Sequence, residues 1–480
     1  MNIESILKKK KGDIPVWVWI VFSLIPIFFF SIYTYTDVIE TTEDGLAVWY
    51  VLFSKKSLSE YYVTPYPYRS GTGYPGYDFF IYIIFAIWDL PLFIYEIIAK
   101  ISFEQSYILL LYAKLISLFF LSLSALYVYK ITYHIANDER KAVWSSFTYV
   151  FSVIVFQSVA IIGGYDVISL FFTLCGIYAY LEEKDKKFVF CFSCAIACKM
   201  FALWIFIPLV LLRYKKVWKV LAVFFCGIGL IIIPKLYFLT YQRINGVQTL
   251  RDDIDNTIVS ANAVRYIDQY MWSSEAPIAT MFMPWFFFFT FVLWVFCWFN
   301  RKQLSAKRII YICLIAMSIF TLTCYTHPQW MILVAPYIAI LECISLQNIS
   351  QKLFCEVCMG ISHILWMVRY APQCFSYNII NNMLHFEEGN REFWYTGIWV
   401  YVSKLADVTS IQIDHIFIAI RSILVASYVM LLFHLYPKDQ QRETELESKE
   451  VSRLFYIKSV VSMLVLGIPL LGIPIRIMGM

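Results

Sequence analysis

Apolar runs of about twenty residues recur along almost the whole chain, and a helix of that length matches the roughly 30 Å hydrocarbon core of a bilayer. Backbone in hydrocarbon must satisfy its own hydrogen bonds. The recurrence therefore predicts an all-α polytopic membrane protein, with residues 1–480 forming a single integral membrane domain. Composition agrees, since 60% of the residues are hydrophobic and 15% charged, against roughly 25% charged in soluble domains. The net charge of +5 is a small excess of Lys and Arg without a basic face, so no nucleic-acid partner is expected. Of twelve cysteines, ten (Cys175, Cys191, Cys194, Cys198, Cys226, Cys297, Cys313, Cys343, Cys355 and Cys358) fall inside apolar runs and read as small buried hydrophobes. The pairs Cys191/Cys194 and Cys355/Cys358 lack the second ligand pair of a zinc site.

Lys8 to Lys11 abut the first apolar run, Ile14 to about Tyr35, which reads as an uncleaved first helix with a cytosolic N-terminus. Further spans are expected at 106–133, 144–163, 167–181, 218–240, 278–299, 309–326, 329–346, 353–371, 412–436 and 456–477. Two runs resist a simple crossing. Tyr77 to Ile98 contains Asp78, Asp89, Pro91 and Glu96, each costly in hydrocarbon, and is read as a juxtamembrane helix. Loop 36–105 then becomes one large extracytoplasmic element with nine acidic and four basic residues. Phe188 to Leu212 is interrupted by Lys199, and two half-length helices meeting there keep the basic residues from Arg213 to Arg308 inside. The total is about thirteen membrane helices, with further extracytoplasmic loops at 241–277 and 372–411 and a cytosolic loop at 437–455.

Four carboxylates, Asp37, Glu40, Glu43 and Asp44, follow the first helix within eight residues. A helix is expected next, with Leu46, Trp49, Leu52 and Phe53 on an apolar face lying on the membrane. Glu43 and Asp44 can be explained as acids favouring its dipole, with Thr41 or Thr42 as N-cap. Asp37 caps no obvious helix. Ile162-Gly163-Gly164-Tyr165-Asp166 joins two spans, Lys199 lies at the turn between half-helices, and Tyr325-Thr326-His327-Pro328-Gln329-Trp330 forms a short outer turn. Asp166 can be a helix cap and His327 a structural residue, whereas an intramembrane lysine requires a partner or a wet cavity.

Together these segments resemble the GT-C superfamily of glycosyltransferases that use polyprenyl- or dolichyl-phosphate sugars, in particular bacterial relatives of the second GPI mannosyltransferase. The matching elements are Asp37 to Asp44, Trp49, Tyr74-Pro75-Gly76-Tyr77, Gly164-Tyr165-Asp166, Ala195 to Lys199 with Pro208, and His327-Pro328-Gln329-Trp330, in order over residues 15–340. The sequence departs from the family pattern in lacking one proline of the Tyr-Pro-Pro segment, in Tyr165 replacing a Gln, and in keeping only the first acid of an Asp-x-Asp.

The resemblance implies an inverting transferase moving a mannose-like hexose from a polyprenyl-phosphate donor to a glycan or glycolipid acceptor at the extracytoplasmic face of a bacterial plasma membrane. It implies Asp37 as the catalytic base with Asp44 second, and a substrate-binding set of Lys199, Arg69, Asp166, His327, Glu40, Glu43, Tyr74 and Tyr77. No cofactor and no metal ligand is expected, and dependence on a divalent metal stays open. An O-antigen-type polymerase and a lipid-linked sugar flippase or transporter are the alternatives.

Overall fold

The computed structural model describes residues 10–11, 14–33, 36–54, 56–63, 66–68, 75, 77–245, 285–323, 328–370, 408, 413–437 and 448–466. Among them lie seventeen α-helices: α1 (Val16–Ile32), α2 (Thr36–Phe53), α3 (Phe79–Trp88), α4 (Leu90–Ala99), α5 (Tyr107–Ala136), α6 (Glu139–Val150), α7 (Val153–Phe156), α8 (Asp166–Leu181), α9 (Asp185–Cys198), α10 (Leu203–Arg213), α11 (Val217–Asn245), α12 (Trp285–Phe299), α13 (Ala306–Thr323), α14 (Ala335–Ile344), α15 (Ile349–Tyr370), α16 (Ile413–Leu435) and α17 (Ser448–Leu466). One antiparallel pairing of two-residue strands, Lys10–Lys11 with Ile14–Pro15, precedes α1.

Among the described residues four helices are long and apolar enough to cross a membrane: α5, the Val217–Phe238 part of α11, α13 and the His415–Leu435 part of α16. The number is six if two bent pairs, α3 with α4 and α6 with Val153–Ile161, each form one span. The described residues thus hold fewer than the thirteen expected, and five shorter apolar helical segments of 10–17 residues, Val16–Ile32, Asp166–Leu181, Met200–Arg213, Trp285–Phe299 and Gln329–Ile344, lie on further expected spans. The last helix, α17, begins at Ser448, inside the stretch expected to be a cytosolic loop. The loops at 241–277 and 372–411 lie outside the described residues, apart from the end of α11 and Val408.

The run from Tyr77 to Ile98 is two ten-residue helices rather than one, bent by 65° at Asp89. Pro91 in the first turn of α4 has no N–H to continue α3. The acids that make this stretch costly in lipid are turned into protein. Glu96 is fully buried, where it accepts hydrogen bonds from the Tyr50 and Tyr66 hydroxyls and the Phe103 amide, and Asp78 pairs with Lys235 at 3.0 Å.

Helix α2 also departs from expectation. It starts at Thr36, so the acidic stretch forms its first turns and neither Thr41 nor Thr42 is an N-cap. The Thr41 hydroxyl instead donates back to the Asp37 carbonyl at 2.6 Å. Leu46 is buried, and the Trp49 indole donates to the Ala86 carbonyl at 2.7 Å. That face therefore packs on α3, leaving only Leu52 and Phe53 exposed. A Cβ at Gly45 would come within 2.6 Å of Phe85, so glycine permits the close approach of α2 to α3.

Helix α5 has thirty residues and rises roughly 45 Å, more than a bilayer core requires. Its Lys114 is fully buried, donating to the carbonyls of Phe30 (3.0 Å), Tyr33 (2.5 Å), Ala160 (2.6 Å) and Ile161 (3.3 Å). The first pair lies at the end of α1. The second pair closes a five-residue π-helical turn, Gln157–Ile161, a rare geometry that is frequent at functional sites. The chain then turns through Gly163 at φ +74°, where a Cβ would meet Val38 at 2.7 Å and Lys114 at 3.0 Å. One ammonium thus ties together the two segments that lead into Asp37 and Asp166.

The two ends of the α8–α9 pair differ. At one end Arg213 meets Asp185 (2.5 Å) and the Tyr180 carbonyl (2.6 Å), while Lys215 donates to the carbonyls of Leu211 (2.6 Å) and Cys297 (2.8 Å). Cations there satisfy carbonyls that helices leave open at their C-termini. The opposite end of the pair holds Asp166 and Lys199.

Candidate functional site

Asp166 opens α8 and Lys199 closes α9, where the backbone is extended (φ −155°, ψ 130°) before a short 3₁₀ turn, Met200–Ala202, and α10. The helix break expected at Lys199 is therefore present. The two side chains form an ion pair of 3.0 Å, with 10% of the lysine side chain and 4% of the aspartate exposed. The pair is held by its surroundings, because the Ser169 hydroxyl donates to the Ala195 carbonyl at 2.9 Å and ties α8 to α9. Four rings surround the ammonium, with centroids at 4.3 Å (Tyr165), 4.8 Å (Tyr77), 5.6 Å (Phe201) and 5.8 Å (Trp330). Ring faces carry partial negative charge, so they stabilise a cation withdrawn from water.

Asp37 stands beside this pair. It lies in the first turn of α2, partly buried, so it favours that helix's dipole. Burial pushes its carboxyl from 3.8 up to about 6; Lys199 pulls it down, while Asp166 and Glu40 push it up. These influences place Asp37, Asp166 and Lys199 in one electrostatic cluster, although 162 positions separate Asp37 from Lys199 in sequence (199 − 37). The Gln329 side chain adds a contact, its Nε2 donating to Asp37 Oδ2 at 3.5 Å. Gln329 is held in turn by the Ser158 hydroxyl, which donates to its carbonyl at 2.8 Å. The Gln329 Oε1 has no hydrogen-bond partner among the described residues, which leaves a spare acceptor next to Asp37.

Of the residues singled out in sequence, Asp37, Asp166, Lys199 and Tyr77 come together. Tyr77 is fixed from both sides, its carbonyl accepting from the Tyr62 hydroxyl and its amide donating to the Tyr82 hydroxyl, both at 2.8 Å. Glu40 is exposed but near enough to act on Asp37. Asp44 and Glu43 are buried farther along α2. Asp44 lies seven residues on from Asp37, roughly 10 Å of helix rise away, with the Tyr61 hydroxyl on its carbonyl. Glu43 is directed to Glu104, to which it is hydrogen-bonded. Arg69, Tyr74 and His327 lie outside the described residues.

Sequence reading missed the role of Gln329, the ring cage around Lys199 and the anchor at Lys114. Trp330, Gln329 and Tyr165 stood within the motifs noticed, but nothing in a linear motif says that they surround one ammonium. Among the described residues no group of three or more His, Cys, Asp or Glu side chains is placed to hold a metal ion. Asp37 and Asp166 are the two carboxylates at the centre, and the second is already matched by Lys199.

No family model, curated protein or solved structure matches the chain.

Proposed function

We propose that this membrane protein is an inverting glycosyltransferase of GT-C type, moving a mannose-like hexose from a polyprenyl-phosphate donor to an acceptor hydroxyl at the extracytoplasmic membrane surface. The observation that carries the reading is Asp37, a partly buried carboxylate with its pKa raised to about 6, set next to a ring-enclosed ammonium. A base works best when its pKa lies near the working pH, and a base beside a cation fits a reaction that gains a proton at one point and negative charge at another.

In this reaction the acceptor O–H proton passes to an Asp37 oxygen as the acceptor oxygen bonds to the sugar C1. The bond from C1 to the phosphate oxygen breaks, its electron pair leaving with the lipid phosphate. Lys199 stabilises the charge that builds on that phosphate. Its ammonium has three donors, of which Asp166 engages one. Asp166 orients the lysine and holds it charged in a low-polarity setting. Gln329 positions the Asp37 carboxylate, and its spare Oε1 can accept from a substrate hydroxyl. Attack opposite the leaving phosphate inverts the anomeric centre.

The test is release of polyprenyl phosphate from a labelled polyprenyl-phosphate hexose by the detergent-solubilised protein, supplied with a membrane glycolipid extract as acceptor. Acceptor-dependent release is expected. A protein that moves the intact lipid across vesicle bilayers without cleaving it would be a flippase, and the transferase reading would fall.

A further inference from the structure

A second lysine, Lys235, lies near the first, on a helix that faces away from the protein body. Only 11% of the apolar window of α11 is buried, and its neighbours Ile233, Leu236 and Tyr237 are exposed. The Lys235 side chain is 30% exposed and pairs with Asp78 at 3.0 Å. Asp78 directly follows Tyr77, whose ring contacts Lys199. Two adjacent residues therefore touch two different ammoniums, one enclosed by rings and one at the lipid-facing edge. Each ammonium is matched by a carboxylate at 3.0 Å. An ammonium has three donors, and one carboxylate oxygen does not take up all of those of Lys235, so a second anion can compete with Asp78 for it.

A lysine on a lipid-facing helix is costly unless it has a partner or a task. Burying it against Asp78 would meet the first need, but its side chain remains 30% exposed. Phe238, one turn along α11 from Lys235, packs against Tyr62 and Phe79 with centroids at 4.9 and 5.0 Å, so this edge of α11 is seated on the segments that hold Tyr77. We propose that Lys235 is an entry site for the phosphate of a membrane-embedded prenyl phosphate, which displaces Asp78 there before its headgroup reaches Lys199. The chemistry recognised is a phosphate ester on an apolar tail, the tail staying in lipid along α11. The identity of that lipid as the sugar donor rests on the transferase reading; the anion site itself does not.

The experiment measures binding of farnesyl phosphate to the full-length solubilised protein, with inorganic phosphate as competitor. Lys235→Met removes the charge and keeps the stem, and should weaken farnesyl phosphate binding about tenfold, the scale of one charge-assisted hydrogen bond. Lys235→Arg should retain binding. Asp78→Asn removes the competing carboxylate and should tighten it. A purely structural ion pair predicts no such opposition of sign. Unchanged affinity in Lys235→Met, or weaker affinity in Asp78→Asn, overturns the proposal. Inorganic phosphate competing as well as farnesyl phosphate overturns the lipid assignment. Failure of the wild type to cleave any prenyl-phosphate sugar, with these affinities intact, sinks the transferase reading and leaves the entry site standing.

Discussion

Two clusters of opposite charges lie in the interior of the described structure, and they differ in what surrounds them. One is the Asp37–Asp166–Lys199 cluster. The other is formed by Lys458 of α17 between Glu342 of α14 and Glu356 of α15, the first contact at 3.1 Å and the second closer still. At the second cluster the side chains of Lys458 and Glu342 are at most 2% exposed, and the flanking walls are Val153, Ile154, Val357 and Gly360. A Cβ at Gly360 would already meet Val153 at 3.0 Å, so α15 and α7 approach closely beside it. In the first cluster the lysine is ringed by aromatic faces, one of them Tyr77, 42% exposed, and a partly open carboxylate stands beside it. Burial of charge alone thus does not mark a site. A site also needs a titratable group that something outside can reach, and the second cluster reads as a clamp joining three helices.

Four experiments can break or sharpen this contrast, taken in order of expected effect. Asp37→Asn keeps size and removes the basic oxygen, so turnover should fall by about 10² to 10⁴-fold with donor binding retained, as read by hexose release and by equilibrium binding. Full activity in this variant would erase the distinction between the clusters. Lys458→Met is the counterpart. It leaves two buried carboxylates without their cation, and breaking a buried pair costs about 3–5 kcal/mol, so the thermal midpoint should drop while the specific activity of the protein that remains folded should hold.

Lys199→Met strands Asp166 in the same way, so its effect on catalysis is readable only against Asp166→Asn. The double variant Lys199→Met/Asp166→Asn should recover much of the lost stability yet still bind donor weakly. Recovery of activity along with stability would make the pair another clamp. The smallest effect concerns pH. A base with a pKa of about 6 predicts a kcat/KM that is level above that value and falls about tenfold per pH unit below it, a limb absent from the residual rate of Asp37→Asn. Because the folded pKa lies above the ordinary 3.8, the folded state binds the proton more tightly. This group should therefore add stability at low pH that is lost as pH rises from about 4 to 6. Asp44→Asn should leave the acid limb unchanged.

The apolar runs told the class of fold, because a period of helical hydrophobic segments survives any arrangement of them. They marked the breaks at Lys199 and Gly163-Gly164 but not the bend at Asp89 or the one that divides 144–163 into α6 and Val153–Ile161, because run length does not register where a run turns. Asp37, Asp166 and Lys199 were legible as ionisable groups at the ends of apolar stretches, where they demand explanation. Their partnership was not, since the Asp37 to Gln329 contact joins residues 292 apart and no local pattern encodes it. Asp44 is the opposite case. Its neighbourhood in sequence suggested a shared role with Asp37, and the helix that starts at Thr36 sets it two turns farther along. Lys235 carries no signal of its own within the run 218–240, and only the pairing with Asp78 gives it meaning.

Lys114 has a consequence for how such a chain is made. Synthesis delivers it after Phe30 and Tyr33 but before Ala160 and Ile161, so for the time needed to make some forty-six further residues (160 − 114) its charge has only half of its acceptors. A lone ammonium in a growing membrane segment is unfavourable, and it is relieved only when the second turn arrives. The same event that settles Lys114 also brings Asp166 toward Asp37. A nascent chain stalled before residue 160 should therefore hold α5 loosely, and biogenesis would couple retention of this helix to completion of the site it supports.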